Sequence, residues 1–167
     1  MAKNVVWATV FIIVAALIQS TLLSLLTDQH ITPDLTLGIL VYSSYVNGTM
    51  TGQITGFFSG IFLDFLSASP LGLNTFIRTV VGALAGLIKG TFFLDAVVLP
   101  MTLCATATFV RALMLFFLRL LFGSAIEAFS FVEPVFWIEL CLNTFTAPLL
   151  FGFLNQFKPL LVAGREK

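Results

Sequence analysis

Two neighbouring stretches of the sequence repeat a glycine at every fourth position, and each stretch has a charge at one end. The six glycines are Gly52, Gly56, Gly60, Gly82, Gly86 and Gly90. Asp64 follows the first three, and Arg78 precedes the last three. On an α-helix, residues at i, i+4 and i+8 follow one face. Each stretch therefore predicts a helix with a smooth glycine ridge that another backbone can approach closely, either within this chain or from the helix of a partner.

The residues between these stretches predict a turn, because Pro70 disfavours helix at the residue before it and Gly72 with the nearby serines is typical of a turn. Two helices joined by this turn would run antiparallel and would place Asp64 and Arg78 at similar depth. The two side chains are then candidates to pair, since an unpaired charge at mid-membrane costs about 2.5–3.5 kcal/mol. Chance is the alternative explanation of the ridges, because glycine is common in membrane helices.

Only 10% of the 167 residues are charged and 59% are hydrophobic, whereas a soluble domain has about 25% charged residues. This composition predicts an integral membrane protein. The formal net charge is zero, so the sequence has no electrostatic footprint for nucleic acid. Cys104 and Cys141 lie in apolar segments at different predicted depths, so we expect two small core residues and no disulfide.

The apolar segments predict an all-α bundle of six transmembrane helices in a single domain. The predicted helices are 5–26, 35–50, 51–66, 71–88, 100–122 and 134–157. About 20 residues are needed to cross the hydrocarbon core. The second segment is short and carries several polar side chains, so we expect a tilted helix, a thin local bilayer or burial among other helices. The first lacks the features of a cleaved secretory signal, which predicts a retained helix.

Charge asymmetry predicts the orientation of the bundle. Six helices place both termini on one side, and the basic residues outside the helices fall there: Lys3, Lys89, Lys158, Arg165 and Lys167. The opposite loops carry no Lys or Arg; their ionisable residues are Asp28, His30, Asp34, Glu127 and Glu133. Loops rich in Lys and Arg stay in the cytoplasm, so both termini are predicted to be cytoplasmic. The single histidine is expected to be solvated, because a metal site needs several converging ligands.

A set of polar side chains falls inside the predicted helices, mostly in their outer halves. The set is Gln19, Asp64, Arg78, Arg111, Arg119, Glu139 and Asn143. Ionisable residues in a membrane usually face the protein interior, where they pair or mark a functional site. Two interpretations stay open: a buried ion-pair network that fixes helix register, or an outward-facing polar cavity for a small ligand or a partner's polar group. The surplus arginine would favour an anionic group.

The sequence carries none of the common catalytic signatures. It has no Walker-type loop, no H-E-x-x-H, no G-x-S-x-G and no apparent Cys/His pair. The loops are short, so no soluble domain is predicted to carry chemistry. We therefore expect a protein that is not an enzyme and needs no cofactor or metal.

Several landmarks together resemble one protein family. Pro33-Asp34 opens the second segment, and Gly56-Phe-Phe-Ser-Gly-Ile-Phe-Leu-Asp64 is followed by Ser69-Pro-Leu-Gly72. Glu133-Pro-Val-Phe-Trp137 then precedes Asn143 and a basic tail. With the size and the six-helix layout, these motifs resemble the bacterial rod shape-determining protein MreD family over nearly the whole chain.

The resemblance implies a non-enzymatic scaffold in the bacterial inner membrane, within the machinery of cell elongation and peptidoglycan synthesis. Its implied partner is MreC, which has a single membrane helix and a periplasmic domain. The wider assembly holds the actin-like MreB, the glycosyltransferase RodA and a class B penicillin-binding protein, surrounded by membrane lipid. The family is also similar in fold to substrate-binding subunits of energy-coupling-factor vitamin transporters. An outward-facing cavity that binds a vitamin or another small molecule is therefore the alternative function.

Overall fold

The computed structural model describes residues 2–23, 32–67, 69–90, 97–123, 126 and 133–162. Within these residues the chain is helical and contains no strand, which confirms the predicted all-α class. The helices are α1 (Ala2–Ile18), α2 (Leu35–Asn47), α3 (Thr49–Leu66), α4 (Leu73–Leu87), α5 (Val98–Phe122), α6 (Pro134–Gln156) and α7 (Lys158–Leu161). The predicted loop residues Asp28, His30 and Glu127, and the tail residues Arg165 and Lys167, lie outside the described residues.

Two helix boundaries differ from the prediction for identifiable reasons. The first predicted segment is not one continuous α-helix, because α1 gives way to a π-helical turn at Gln19–Leu23. The second predicted segment ends at Asn47, because Gly48 adopts φ +100 and interrupts the helix. Thr49 and Met50, which the sequence pattern assigned to the second helix, instead begin α3.

Among the described residues, three helices are long and apolar enough to cross a membrane. They are Lys3–Thr21, Val98–Phe122 and Pro134–Gln156, judged by length and composition. Helix α4 is apolar but shorter. A shorter helix reaches across the hydrocarbon core only if the bilayer thins or neighbouring helices cover its ends.

The most extensive helix contact joins α3 to α4. The two helices run antiparallel, with Gly52 beside Gly82 and Gly60 beside Thr75. Gly72 closes the turn between them in the left-handed region, at φ +95, where a residue with a Cβ is strained.

The core forms between this hairpin, α1, α2 and the α5–α6 hairpin. Its buried side chains include Ile12, Leu40, Val81, Ala107 and Leu154, one from each of five helices. Large apolar side chains also cover the outside of the bundle. Phe65 and Leu149 are each 77% exposed. An exterior of this kind is suited to lipid rather than to water.

Candidate functional site

The glycine ridges lie at the interface between α3 and α4. A Cβ added to Gly52 would be 2.8 Å from the carbonyl carbon of Gly82, and one added to Gly56 would be 2.7 Å from that of Arg78. A Cβ at Gly60 would lie 2.8 Å from the backbone nitrogen of Thr75. Real Cβ atoms do not approach backbone this closely. The two backbones are therefore in direct contact along this line.

The second ridge is shorter than the sequence pattern suggested. A Cβ at Gly86 would lie 2.6 Å from the carbonyl carbon of Gly48, so Gly86 belongs to the close-packed interface. Gly90 does not, because α4 ends at Leu87 and Gly90 adopts φ +72 with no neighbouring atom of the described residues within 4 Å of an added Cβ. The repeat therefore runs past the end of the helix that would have placed Gly90 on the ridge.

Asp64 does not pair with Arg78, so the predicted ion pair is wrong. The Asp64 carboxylate instead accepts hydrogen bonds from the backbone N–H groups of Gly72 (3.0 Å), Asn74 (2.8 Å) and Thr75 (3.1 Å). It also accepts one from the Thr75 hydroxyl at 2.6 Å. The first turn of a helix leaves N–H groups without intrahelical partners, and a glycine at the N-cap has no side chain to satisfy them. Asp64, at the end of α3, therefore caps α4 from across the turn.

Arg78 pairs instead with Asp34, the residue that caps the start of α2. Its Nη2 lies 3.4 Å from both carboxylate oxygens of Asp34 and donates to the Thr36 hydroxyl at 2.6 Å. Asp34 also accepts hydrogen bonds from the Thr36 hydroxyl (2.6 Å) and the Leu37 N–H (2.9 Å). The Arg78 and Asp34 side chains are only 7% and 10% exposed. Buried charges of this kind are stable only when they are paired and hydrogen-bonded.

Arg111 extends this pair to the surface of the α5–α6 hairpin. Its Nη1 lies 3.7 Å from Asp34 Oδ2 and forms a short ion pair with Glu139 Oε1. The Arg111 and Glu139 side chains are 31% and 23% exposed, so this end of the arrangement reaches the outside of the bundle.

Asn143 completes the connection between α2, α5 and α6. Its Oδ1 accepts the Asp34 N–H at 2.6 Å, and its Nδ2 donates to the Thr108 hydroxyl at 3.0 Å. Thr108 in turn donates to the Cys104 carbonyl. We call the set of joined side chains the polar cluster: Asp34, Thr36, Arg78, Thr108, Arg111, Glu139 and Asn143.

The four ionisable members of the polar cluster balance in charge, with two arginines, Asp34 and Glu139. Asp34 precedes α2 and is the member that both guanidinium groups approach. Burial alone would raise the pKa of Asp34, but Arg78, Arg111 and the hydrogen bonds from Thr36 and Leu37 outweigh it and hold the pKa at about 2. The carboxylate therefore stays ionised and ties the arginines of α4 and α5 to the start of α2.

Besides Asp64, two members of the predicted set are not joined to the polar cluster by any hydrogen bond or ion pair among the described residues. Gln19, in the π-helical turn, donates from Nε2 to the Thr32 hydroxyl at 3.4 Å. The Nη1 of Arg119 is buried and has no hydrogen-bond partner in the described part of the chain. The prediction for Cys141 is wrong, since it lies on the exposed face of α6, whereas Cys104 is buried. Both thiols are free, as expected.

Sequence reasoning missed Asp34 as a member of the buried set, because it read that residue only as a loop acid and helix start. Two features of the sequence could have identified it. Asp34 is an acidic residue at the start of a short helix with a polar C-terminal half, and the other acids within the predicted helices are too few to neutralise every intramembrane arginine. No spacing rule links residue 34 to residue 78 or 111, so only the helix packing identifies the partners.

A small cavity lies beside the polar cluster, between α2 and the α5–α6 hairpin. Its volume is about 10 Å³, and Asp34, Gly38, Thr108, Asn143 and Leu150 are among its lining residues. This volume holds about one water molecule, whereas small-molecule pockets occupy roughly 300–1,000 Å³. Among the described residues, no three His, Cys, Asp or Glu side chains converge as metal ligands would.

A family model for the rod shape-determining protein MreD matches residues 1–157. The chain belongs to the MreD family. Neither the comparison with curated proteins nor the comparison with solved structures finds a match. MreD membership confirms the resemblance noted in the sequence, and it supports a role in rod shape determination and a membrane location for a chain with these apolar helices.

Proposed function

We propose that this MreD-family chain is a non-enzymatic scaffold in the bacterial inner membrane, within the machinery that directs peptidoglycan synthesis during cell elongation. In this proposal it crosses the membrane six times with both termini in the cytoplasm and binds MreC through its transmembrane helices. MreB, RodA and a class B penicillin-binding protein belong to the wider assembly. The observation that carries the proposal is the family match over residues 1–157.

The geometry of the buried groups supports a scaffold. The polar cluster connects four helices and is neutral overall, and the cavity beside it has room for about one water molecule. Such a network fixes how the helices fit together and leaves little space for a substrate. This arrangement is the one expected for a buried ion-pair network that fixes helix register.

The positions of the glycine ridges exclude them as the surface that binds MreC. Because Gly52, Gly56, Gly60 and Gly82 are in contact with the facing backbone of the α3–α4 hairpin, they cannot also receive a partner helix. A partner helix must therefore use an outer face, where large apolar side chains such as Phe76, Phe109 and Leu149 lie exposed.

Co-purification and photocrosslinking test the proposal. Full-length MreC should co-purify with this chain in mild detergent, and an unrelated single-span membrane protein should not. A photoreactive residue placed singly at Met50, Phe76, Phe109 or Leu149, which are exposed positions on four different helices, should crosslink to the MreC helix from one face of the bundle. Absence of both co-purification and crosslinks, with the chain folded, would contradict MreC binding.

A further inference from the structure

Asn47 joins several segments at the end of the bundle opposite the polar cluster. Its Oδ1 accepts a hydrogen bond from Asn4 Nδ2 at 3.1 Å, and its Nδ2 donates to the carbonyls of Leu161 (2.7 Å) and Ser43 (2.9 Å). Its own carbonyl accepts a hydrogen bond from Lys89 Nζ at 3.1 Å. One side chain and its backbone thus hold together the start of α1, the end of α2, the residues after α4 and the end of α7.

This arrangement brings together, at one end of the bundle, the segments that carry three lysines far apart in the sequence. Lys3 adjoins Asn4, Lys89 bonds Asn47 directly, and Lys158 begins the single turn of α7 that ends at Leu161. All three residues are exposed. We call Lys3, Lys89 and Lys158 the lysine cluster.

Lys89 also lies close to Gly48. A Cβ added to Gly48 would lie 3.5 Å from Lys89 Cδ and 3.9 Å from Lys89 Nζ. The lysine stem therefore lies across the glycine that separates α2 from α3. This contact and the hydrogen bond to Asn47 place the ammonium group at this end of the bundle.

No acidic residue among those described accompanies the lysine cluster. The described acids are Asp34, Asp64, Glu133 and Glu139. Asp34 caps the start of α2, whereas Asn47 ends it; Asp64 is near the end of α3, whereas Gly48 precedes its start. Glu133 directly precedes the start of α6, whereas α7 follows its end. Among the described residues, the acids therefore lie toward one end of the bundle, together with the arginines that pair with them, and the three lysines lie at the other end.

We propose that the lysine cluster binds the two phosphates of a cardiolipin headgroup at the membrane surface. Basic pockets between transmembrane helices on the cytoplasmic side are suited to cardiolipin headgroups, and each lysine near an anionic surface strengthens the attraction. A zwitterionic headgroup carries its own compensating cation, and a headgroup with one phosphate neutralises only one of the three lysines. A headgroup with two phosphates neutralises more of this charge.

The proposal rests on the proposed orientation, which puts this end of the bundle at the cytoplasmic surface. It does not depend on MreC binding, and it goes beyond the general rule that lysines set topology. The topological effect concerns which loops stay in the cytoplasm during insertion, and it predicts no preference among lipids in the folded protein. The hydrogen bonds that join Asn4, Asn47, Lys89 and Leu161 bring the segments that carry the three lysines together. This arrangement predicts such a preference, and it predicts that the three lysines contribute together.

Native mass spectrometry of the purified, delipidated chain tests the proposal directly. The wild-type protein should retain added cardiolipin in preference to phosphatidylethanolamine. Each Lys→Gln substitution should weaken retention about fivefold, and the triple variant K3Q/K89Q/K158Q about 100-fold, from the contribution expected per lysine near an anionic surface. The matched triple variant K3R/K89R/K158R keeps the charge and should retain cardiolipin. Thermal unfolding of both triple variants checks that they fold alike.

Three results would overturn the proposal. The first is equal retention of cardiolipin by the folded glutamine and wild-type proteins, and the second is equal retention of phosphatidylethanolamine and cardiolipin by wild type. The third is selective binding of an acidic peptide with no retention of cardiolipin, which would make the lysine cluster a protein-docking surface. If the triple glutamine variant does not fold, the single K158Q variant and the salt dependence of wild-type binding provide the same comparison.

Discussion

The most direct prediction concerns which acid neutralises Arg78. The structure pairs Arg78 with Asp34 and assigns Asp64 to capping α4. We therefore expect Asp34→Asn and Arg78→Gln to be strongly coupled in a double-mutant cycle, and Asp64→Asn and Arg78→Gln to be nearly additive. The same Arg78 variant serves both cycles, so each cycle is the control for the other.

The magnitudes follow from what each substitution leaves behind. Asp34→Asn leaves a buried arginine with the Thr36 hydroxyl as its remaining near partner, and breaking a buried pair in this way costs about 3–5 kcal/mol. Arg78→Gln leaves Asp34 with Arg111 at 3.7 Å and with its hydrogen bonds to Thr36 and Leu37, so it should cost about 1–3 kcal/mol. The double variant leaves neither charge behind, which gives a coupling of about 1–3 kcal/mol.

Asp64→Asn should destabilise the bundle for a different reason. An amide removes the acceptor that serves the N–H groups of Gly72 and Thr75 and the Thr75 hydroxyl, at about 2–4 kcal/mol for hydrogen bonds to a charged group. Because none of these bonds involves Arg78, combining Asp64→Asn with Arg78→Gln should give the sum of the two effects within about 0.5 kcal/mol.

The free energy of unfolding, measured by titrating SDS into detergent micelles that contain the folded protein, reports both cycles. Helical signal and tryptophan fluorescence should report the same transition if unfolding is two-state. A coupling near zero between Asp34 and Arg78, together with a coupling above about 1 kcal/mol between Asp64 and Arg78, would refute the assignment of partners.

Two further predictions follow from glycine packing and thiol exposure. Gly82→Ala should lower the free energy of unfolding by about 2 kcal/mol or more, because the added Cβ would lie 2.8 Å from the carbonyl carbon of Gly52 and nearby backbone would have to move. Gly152→Ala, where no neighbouring atom of the described residues lies within 4 Å of an added Cβ, should be neutral or slightly stabilising in the same SDS titration, and equal losses for both glycine variants would contradict the packing argument. Cys104 is buried and Cys141 exposed, so Cys104→Ser, which places a hydroxyl in the core, should lower the free energy of unfolding by about 1–3 kcal/mol. Cys141→Ser should lower it by clearly less, and equal losses for the two cysteine variants in the same titration would contradict the assigned burial.

Several features of the fold were already determined by the local sequence. Apolar segments of helical length predict helices, because every backbone polar group in lipid must be satisfied within the segment or by protein neighbours. The four-residue glycine period and the Pro70–Gly72 turn predict an antiparallel close approach, and the structure places Gly52 against Gly82. These properties depend on residues within a few helical turns, so the sequence displays them directly.

The partners of the charged side chains were decided only by the tertiary structure. The hairpin pattern placed Asp64 and Arg78 at similar depth and made them candidates to pair. In the structure, Asp64 accepts hydrogen bonds from the backbone of α4, whereas Arg78 pairs with Asp34 at the start of α2. The reason is local competition: a glycine at the N-cap of α4 leaves N–H groups that need an acceptor, and Asp64 is the acid within reach. Arg78, once buried, must then find its counter-ion on another helix, and that choice depends on how helices distant in sequence pack together.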